Sequence, residues 1–441
     1  MKRLLTVIYS LFLLHLSLYC HLDAASNVSA FQLTNGLRVI LAPSNRMDAV
    51  CVLLYHVHGV RDDPPELQGA SYLFQNLVLR NTENLDSFER LIYIKRSGGI
   101  GNRLVNYDFS TFSITVPASE VSKALWLESE RIGSLRLTTP NINDEKNKLY
   151  NRQKRSNTNL NLRALRWVND KVFQGTVYQL PVYGKLEEIR SFDAQKIKRL
   201  YNKFRNLSTA VLVVSGRFSE EQIRSAISKH FSSLVSPAKT AVKRFEAIAP
   251  RSEYIYKNWV VDSRGESFVM FGFRAPPKLS HDHLYFNFLR YYLLDERIFW
   301  LNKVLNKDHK LGVKIVSHYT NNFEVNSLVI KISTRNRVNL ERAKYFVKKL
   351  LTSLSKGRPG TISSSNIKAV KTLLEIEFMK KMVSLEERAV FLAENYYLSG
   401  TLKADQHYLD RIRSMNSYSI YRVARKYCDK KNRVNLNVYP K

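Results

Sequence analysis

The arrangement of apolar and polar residues along the chain predicts strands and helices in a regular order. Residues 31–41 alternate on both sides of Asn35-Gly36, which predicts a β-hairpin because this dipeptide favours a tight turn. Residues 50–58 form an almost continuous apolar run, which is typical of a strand buried on both faces. Residues 70–79 carry Leu and Phe at helical spacing, so we expect a helix after this strand.

A second copy of this order begins in the second half of the chain. The apolar run 267–271 is followed by a Leu- and Tyr-rich helix over 284–294, and the strand-end glycines Gly59 and Gly272 lie 213 residues apart. Each half also closes with a helix that leads into an apolar strand, at 191–216 and at 417–439. The pattern predicts an α+β fold of two homologous domains, each with a mixed β-sheet packed by helices.

The N-terminus has the pattern of an export signal. Lys2 and Arg3 precede an apolar run over 4–18, which is too short to span a bilayer comfortably. We therefore expect residues 1–25 to be a signal peptide and the protein to be periplasmic or secreted, with an uncleaved signal anchor as the alternative. After removal of the signal, the sequence predicts no integral membrane span.

The remaining chain divides at a segment with linker composition. Residues 236–250 are rich in Pro, Ala and Lys and separate the two similar halves. We therefore expect an N-terminal domain over 27–235 and a C-terminal domain over 251–441.

Composition limits the function classes without choosing one. The 441 residues are 44% hydrophobic, which provides a core for each domain and excludes disordered and collagen-like proteins. The chain carries 69 Lys and Arg against 38 Asp and Glu, a formal net charge of +31 that favours anionic partners. Its basic clusters lie mostly on predicted helices with apolar residues at helical spacing, so solvated helix faces are favoured and no nucleic acid is expected.

Cysteine and histidine give weak signals for chemistry. Cys51 and Cys428 show no C-x-x-C spacing, which favours inert thiols over reactive ones. Two histidine pairs have one intervening residue but no third ligand in sequence, so hydrogen bonding is favoured over metal binding. These are His56 with His58 on a strand, and His281 with His283 in the loop after Pro277.

The helix after the first buried strand carries a resemblance to a known family. The N-terminal hairpin, the Gly-x-Arg sequence at 59–61 and the helix Gly69-Ala-Ser-Tyr72-Leu-Phe-Gln75-Asn76 together resemble the pitrilysin/insulinase/mitochondrial processing peptidase family of zinc metallopeptidases. The resemblance covers essentially the whole mature chain. In that family the helix carries H-x-x-E-H, whose two zinc ligands and general base share one helix face. The corresponding positions here are Tyr72, Gln75 and Asn76.

The resemblance implies a degenerate site. The family's third ligand is a Glu on a second helix, and its position corresponds to Gln153 in a helix expected over 144–155. Amide oxygens are poor zinc ligands beside imidazole or carboxylate, and Gln75 has no basic lone pair to take a proton from water. We therefore expect no metal, no cofactor and no peptidase activity at this site. A peptidase with atypical metal ligands is the weakest alternative.

Two further segments resemble parts of the family that contact substrate. Ser97-Gly-Gly-Ile-Gly-Asn102-Arg103 resembles its G-G-x-x-N-A segment, an edge strand that binds peptide through the main chain. The resemblance implies peptide contacts for Asn102 and for Arg103, which replaces the usual Ala. In the second half, Asn306 and Val313 stand where the family has a substrate-orienting Arg and Tyr, so that pair is absent.

These features lead to a functional expectation. The resemblance implies a non-catalytic homologue, half of a clamshell, that pairs with a zinc-bearing peptidase subunit or with itself as a structural or peptide-binding subunit. The positive charge favours acidic peptides among its ligands. The alternative is a stand-alone exported binding protein for an anionic polymer or membrane surface, which predicts salt-dependent binding and no protein partner.

Overall fold

The computed structural model describes residues 28–236, 245–262, 265–295, 297–298, 300–358 and 360–441. The expected signal peptide and residues 237–244 of the expected linker lie outside the described residues. The strands are β1 Ser29–Gln32, β2 Arg38–Pro43, β3 Ala49–His56, β4 Ile100–Val105, β5 Ser110–Pro117, β6 Ala210–Gly216, β7 Ile255–Val261, β8 Ser267–Ala275, β9 Lys314–Tyr319, β10 Asn326–Thr334 and β11 Arg433–Pro440.

Among the described residues, most helices fall in two groups, one between β5 and β6 and one between β10 and β11. The helices are α1 Ala70–Leu77, α2 Ser87–Arg96, α3 Val121–Gly133, α4 Thr139–Thr158, α5 Leu160–Val172, α6 Leu186–Ser191, α7 Ala194–Phe204, α8 Glu220–Phe231, α9 His281–Leu294, α10 Trp300–Asn302, α11 Arg337–Ser355, α12 Ser364–Val383, α13 Leu385–Ser399, α14 Ala404–Arg413 and α15 Ser417–Tyr427. A π-helical turn, Lys303–Asp308, continues α10.

The chain forms two compact units, and each contains segments from both halves of the sequence. Unit 1 comprises Met1–Lys146, Ser191–Val242 and Glu377–Asp405. Unit 2 comprises Asn147–Arg190, Lys243–Ile376 and Gln406–Lys441. The sequence did not predict this exchange of segments.

The two sheets have the same strand order, which confirms the predicted fold class. In unit 1 the order is β1-β2-β6-β3-β5-β4, in which β2 and β6 are parallel and the other neighbours antiparallel. In unit 2 the order is β7-β11-β8-β10-β9, with β7 and β11 parallel. Apart from β1, each strand of unit 1 has a counterpart at the same place in unit 2.

Helices cover both faces of each sheet. In β3, every side chain from Val50 to Tyr55 is fully buried, which explains the continuous apolar run in the sequence. One face of unit 1 packs against α3, and the other packs against α13, which comes from the second half of the chain. In unit 2, α5 from the first half packs in the same way on β8, β10 and β11. Each half of the sequence therefore supplies one helix to the core of the other unit.

The structure corrects two details of the predicted repeat. Gly272 lies inside β8, whereas Gly59 follows the end of β3, so the two glycines are not equivalent strand ends. Gly272 has a packing role, because a Cβ there would lie 2.4 Å from Val168 Cγ1 of α5. His281 and His283, expected in a loop, lie in the first turn of α9.

Candidate functional site

Helix α1 begins without a cap from the residue that precedes it. Gly69 has a φ of 93° and provides no side-chain acceptor. Asp63 replaces the cap, because its carboxylate accepts hydrogen bonds from the backbone N–H groups of Gly69 at 2.9 Å and Ser71 at 3.1 Å, and from Ser71 Oγ at 2.5 Å. Burial raises the pKa of the Asp63 carboxyl to about 7. The loop after β3 is thereby fixed to the start of α1.

The three positions that correspond to the zinc motif lie along α1 at i, i+3 and i+4. Tyr72 and Asn76 are half-buried, whereas Gln75 is 9% exposed. Gln75 lines a cavity of about 10 Å³ beside His58 and Ser71. This volume holds no more than about one water molecule. The buried side of α1 is therefore closed, and only its outer face is open to chemistry.

Arg103 reaches that outer face from the neighbouring edge strand. Its Nη2 donates a hydrogen bond of 3.1 Å to Oδ1 of Asn76. Arg103 is an exposed residue of β4, and β4 contacts α1. The structure thus brings Arg103 and Asn76 together in unit 1 and places a positive charge on the outer face of α1. Tyr72 lies one turn before Asn76 on the same helix, and Gln75 faces the closed cavity.

Asn102 points to the opposite face of β4, as expected for adjacent residues of a strand. Its Nδ2 donates to Oε2 of Glu386 at 2.8 Å, and Ser113 Oγ on β5 donates to the other carboxylate oxygen at 2.6 Å. Glu386 belongs to the first turn of α13. The Asn102 side chain therefore attaches β4 to the helix supplied by the second half of the chain.

The fourth degenerate position, Gln153, is a residue of α4 in unit 2. The helix runs over Thr139–Thr158, longer at both ends than expected. Gln153 is 6% exposed, and its Oε1 accepts a hydrogen bond of 3.2 Å from Ser156 Oγ on the same helix. Its amide is thus engaged locally, within α4.

A serine, a histidine and a carboxylate meet at the start of α1, and sequence reasoning missed this cluster. Ser71 Oγ lies 3.3 Å from His58 Nε2, and His58 Nδ1 lies 3.6 Å from Asp62 Oδ2. A serine nucleophile must give its proton to the histidine, but Ser71 donates it to Asp63. We therefore assign the cluster a structural role. A helix start after Gly69 without a Ser, Thr, Asn or Asp cap was the signal that a more distant carboxylate caps it.

His56, Cys51 and Cys428 are buried in the cores of the units, and His283 contacts a tyrosine. His56 is fully buried against the Phe204 ring, at 4.3 Å between centroids, and burial lowers its pKa well below the usual value. His283 Nδ1 lies 3.3 Å from the Tyr319 hydroxyl. Within the described ranges, no three His, Cys, Asp or Glu residues are grouped as metal ligands. The free thiols, Cys51 and Cys428, are buried, and burial raises the pKa of each to about 12.

Asn306 has a backbone-binding role in unit 2. Its Nδ2 donates to the carbonyl of Val313 at 2.8 Å, and its Oδ1 accepts from the N–H of Val313 at 2.8 Å. The two residues that replace the family's Arg and Tyr are thus paired with each other, and the turn between them is fixed.

Two units with matching strand order, with helix α1 directly after the third strand, are typical of one half of a metallopeptidase of the inverted zinc-motif class. Residues 38–185 match the family model described as insulinase (peptidase family M16), and residues 191–374 match that of the peptidase M16 inactive domain. The chain belongs to peptidase family M16, as its sequence predicted.

One relative and two solved structures resemble this chain over at least 90% of its length, and a second relative resembles about half of it. The zinc protease PqqE of Helicobacter pylori is 22% identical over 90% of this chain and 89% of its own length. Cytochrome b-c1 complex subunit 1 of Bos taurus is 21% identical over 48% of this chain and 44% of its own.

Among solved structures, a protease from Helicobacter pylori has a TM-score of 0.84 at 19% identity, covering 94% of this chain and 100% of that one. The periplasmic protease PqqL of Escherichia coli has a TM-score of 0.72 at 12% identity, covering 93% of this chain and 47% of that one. At these identities the likeness shows the fold. None of the helices in the described part of the chain is long and apolar enough for a bilayer span.

Proposed function

We propose that this protein is a non-catalytic M16 subunit that pairs with a zinc-bearing peptidase chain. The hydrogen bond from Arg103 to Asn76 carries the proposal. It holds a cation at the helix face where the family binds zinc, and like charges repel a metal ion from such a position. Tyr72 and Gln75 add no imidazole or carboxylate that would offset this repulsion.

The relatives support a subunit role. Cytochrome b-c1 complex subunit 1 is named as one subunit of a larger complex, whereas PqqE is named as a zinc protease. We therefore infer that this chain supplies structure or peptide contacts, while a partner supplies the metal. The charged start and apolar run of residues 1–25, together with the likeness to a protease described as periplasmic, support export as the place of action.

The edge strand β4 supports peptide binding. Residues 100–104 are all exposed, and β4 ends the sheet with β5 as its one neighbour. An exposed edge offers main-chain N–H and C=O groups to an added strand. Ile100 and Leu104 are 64% and 51% exposed and would give such a peptide apolar contacts. Arg103 gives the strand a positive charge, which favours acidic side chains in the ligand.

The test is the zinc content of the protein and the identity of its partner. The mature protein is purified from its native host under mild conditions, its zinc is measured by elemental analysis, and co-purifying chains are identified by mass spectrometry. The Helicobacter pylori zinc protease PqqE, prepared in the same buffers, is the positive control for retention of metal. We expect substoichiometric zinc in this chain and a co-purifying homologue with an intact H-x-x-E-H.

Two results would contradict the proposal. Tightly held zinc at one ion per chain would restore the peptidase interpretation. A lone chain that binds anionic polymers or anionic vesicles in a salt-dependent manner would favour the stand-alone binding protein instead.

A further inference from the structure

A second group of polar residues lies in unit 2, far in sequence from helix α1. Residues of β11 alternate between the two faces of the sheet. Val434 faces Gly272, on the side covered by α5. Arg433, Asn435, Asn437 and Tyr439 face the opposite side, where α11 packs on the sheet. The first two residues of this polar row are buried, since Arg433 is 5% exposed and Asn435 is fully buried.

The two buried side chains at the end of this row lack partners. Nε and Nη1 of Arg433 have no hydrogen-bond acceptor, and both amide atoms of Asn435 are also without a partner. Among the described residues, no carboxylate lies within salt-bridge distance of Arg433. Buried guanidinium and amide groups are costly unless an acceptor or anion satisfies them. The pair therefore offers buried hydrogen-bonding groups that an anionic ligand could satisfy.

Other cations surround Arg433. The Lys430 ammonium lies 5.3 Å from the Tyr254 ring, and the guanidinium of Arg433 lies 5.8 Å from the same ring. Lys344 of α11 is 5% exposed, and half-buried Lys348 lies one turn further along that helix. Burial, together with the nearby charges of Lys344 and Arg433, lowers the pKa of Lys348. Four cations thus converge on one region of unit 2.

The nearby carboxylates are already engaged. Glu341 accepts from Lys344 Nζ at 2.8 Å and from the Tyr439 hydroxyl at 2.8 Å. Asp429 accepts from the backbone N–H of Lys431 at 2.8 Å, as the cap of a short helical turn. With Arg337, whose guanidinium lies 4.3 Å from the Tyr439 ring, five cations face two carboxylates, which leaves an excess of three positive charges.

We propose that this cluster binds the phosphate group of a small soluble ligand. A phosphate dianion neutralises most of the excess positive charge, whereas one carboxylate would neutralise only a third of it. The unpartnered donors of Arg433 and the amide of Asn435 provide hydrogen bonds to its oxygens, and Lys348 and Lys430 provide charge. A buried water could satisfy Asn435 but would leave the charge in place. Arg433 is too deeply buried to meet a headgroup that stays in the plane of a membrane.

Thermal unfolding of the whole protein in inorganic phosphate tests this site. Phosphate is titrated at constant ionic strength, with chloride as the balancing anion, for the wild type, Arg433→Met and Lys348→Met. Lys349→Met is the matched control, because Lys349 is the exposed neighbour of Lys348 on the same helix. Ligands that bind only the folded state stabilise it by RT ln(1 + [L]/Kd), so the midpoint of unfolding rises steadily once the phosphate concentration exceeds Kd.

We expect a midpoint rise of this form for the wild type and Lys349→Met, and none for Arg433→Met. In chloride alone, Arg433→Met should be at least as stable as the wild type, because the variant removes a buried charge without a partner. Lys348→Met, which keeps the buried side chains of Arg433 and Asn435, should bind phosphate about tenfold more weakly. It also keeps the test decisive if Arg433→Met does not fold.

The proposal fails if the unfolding midpoint of the wild type does not rise with phosphate, or if its rise equals that of Arg433→Met and Lys348→Met. A second arm uses vesicles that contain phosphatidic acid. Binding to these vesicles without a response to inorganic phosphate would assign the cations to a membrane surface and overturn the soluble ligand. The presence or absence of zinc and of a partner chain does not affect either readout.

Discussion

Arg103 on the edge strand β4 and Asn76 on helix α1 are joined by a hydrogen bond of 3.1 Å. By the resemblance in the sequence, Asn76 is expected to correspond to a zinc-binding His of the family, and Arg103 to its usual Ala. The two departures from the family pattern therefore meet in space. A guanidinium at this position donates a hydrogen bond to the amide oxygen of Asn76 and would repel a metal ion. Arg103 and Asn76 therefore stabilise each other at this helix face.

This pairing predicts that restoring the ligands alone gives a weak zinc site. The variant with Tyr72→His, Gln75→Glu and Asn76→His is expected to bind zinc more weakly with Arg103 than with Arg103→Ala. The difference is about tenfold, because a single and a double positive charge about 6 Å apart in a water-like medium repel by about 1.4 kcal/mol. Competition with a chelator of known affinity measures it.

The control for this prediction is Arg96→Ala in the same three-residue background, since Arg96 is an exposed cation at the end of α2. It should leave zinc affinity unchanged. Equal zinc affinity with and without Arg103 would mean that the guanidinium plays no part in excluding the metal.

Arg103 is also expected to select peptides by charge. The Arg103→Glu variant should lose affinity for acidic peptides and gain affinity for basic ones, because the strand then presents the opposite charge. Fluorescence anisotropy with peptides of equal length and opposite charge measures the change. Lys95→Glu, on the neighbouring helix α2, carries the same charge reversal as a control. Unchanged binding of both peptides to Arg103→Glu would rule out a role for this side chain.

The buried Asp63 predicts a dependence of stability on pH. Its pKa is raised from 3.8 to about 7 in the folded state, so the folded protein binds this proton more tightly than the unfolded chain. The contribution of Asp63 is therefore complete below about pH 4 and is lost as the pH rises through 7. Denaturant unfolding of the wild type and Asp63→Asn between these limits should show a smaller decline for the variant.

Glu66→Gln serves as the control for this measurement, because Glu66 is exposed in the same loop. Its pH profile should follow that of the wild type. Parallel profiles for the wild type and Asp63→Asn would show that the Asp63 carboxyl does not retain its proton in the folded state.

The close packing of α5 on β8 predicts a large effect at Gly272. A Cβ at this residue would lie 2.4 Å from Val168 and 2.9 Å from Val172. Gly272→Ala should destabilise the protein by about 1–3 kcal/mol, the usual range for overpacking. Val168→Ala in the same chain should recover part of the loss. Gly101→Ala is the control, because its Cβ would meet no atom closer than 3.7 Å. A neutral Gly272→Ala would mean that α5 does not pack tightly there.

The sequence predicted the elements that depend on local pattern. The structure contains the buried strand β3, the Asn35-Gly36 hairpin and the repeat of helices and strands. These features are predictable because burial on two faces and turn type both depend on residues that are neighbours in sequence. It did not predict contacts between distant segments. Asp63 caps a helix from eight residues before Ser71, and Glu386 meets Asn102 from 284 residues away. Hydrophobic periodicity carries no information about such pairs.

The exchange of helices α5 and α13 between the units has a consequence for synthesis of the protein. Sheet β1–β6 is covered on one face by α13, whose last residue is Ser399, so the first unit has its full core only after residue 399 has left the ribosome. Until then the buried side chains of β3 and β6 remain exposed to water and to other nascent chains. A gene cut between the two sequence halves would thus yield fragments that aggregate separately and become soluble when produced together.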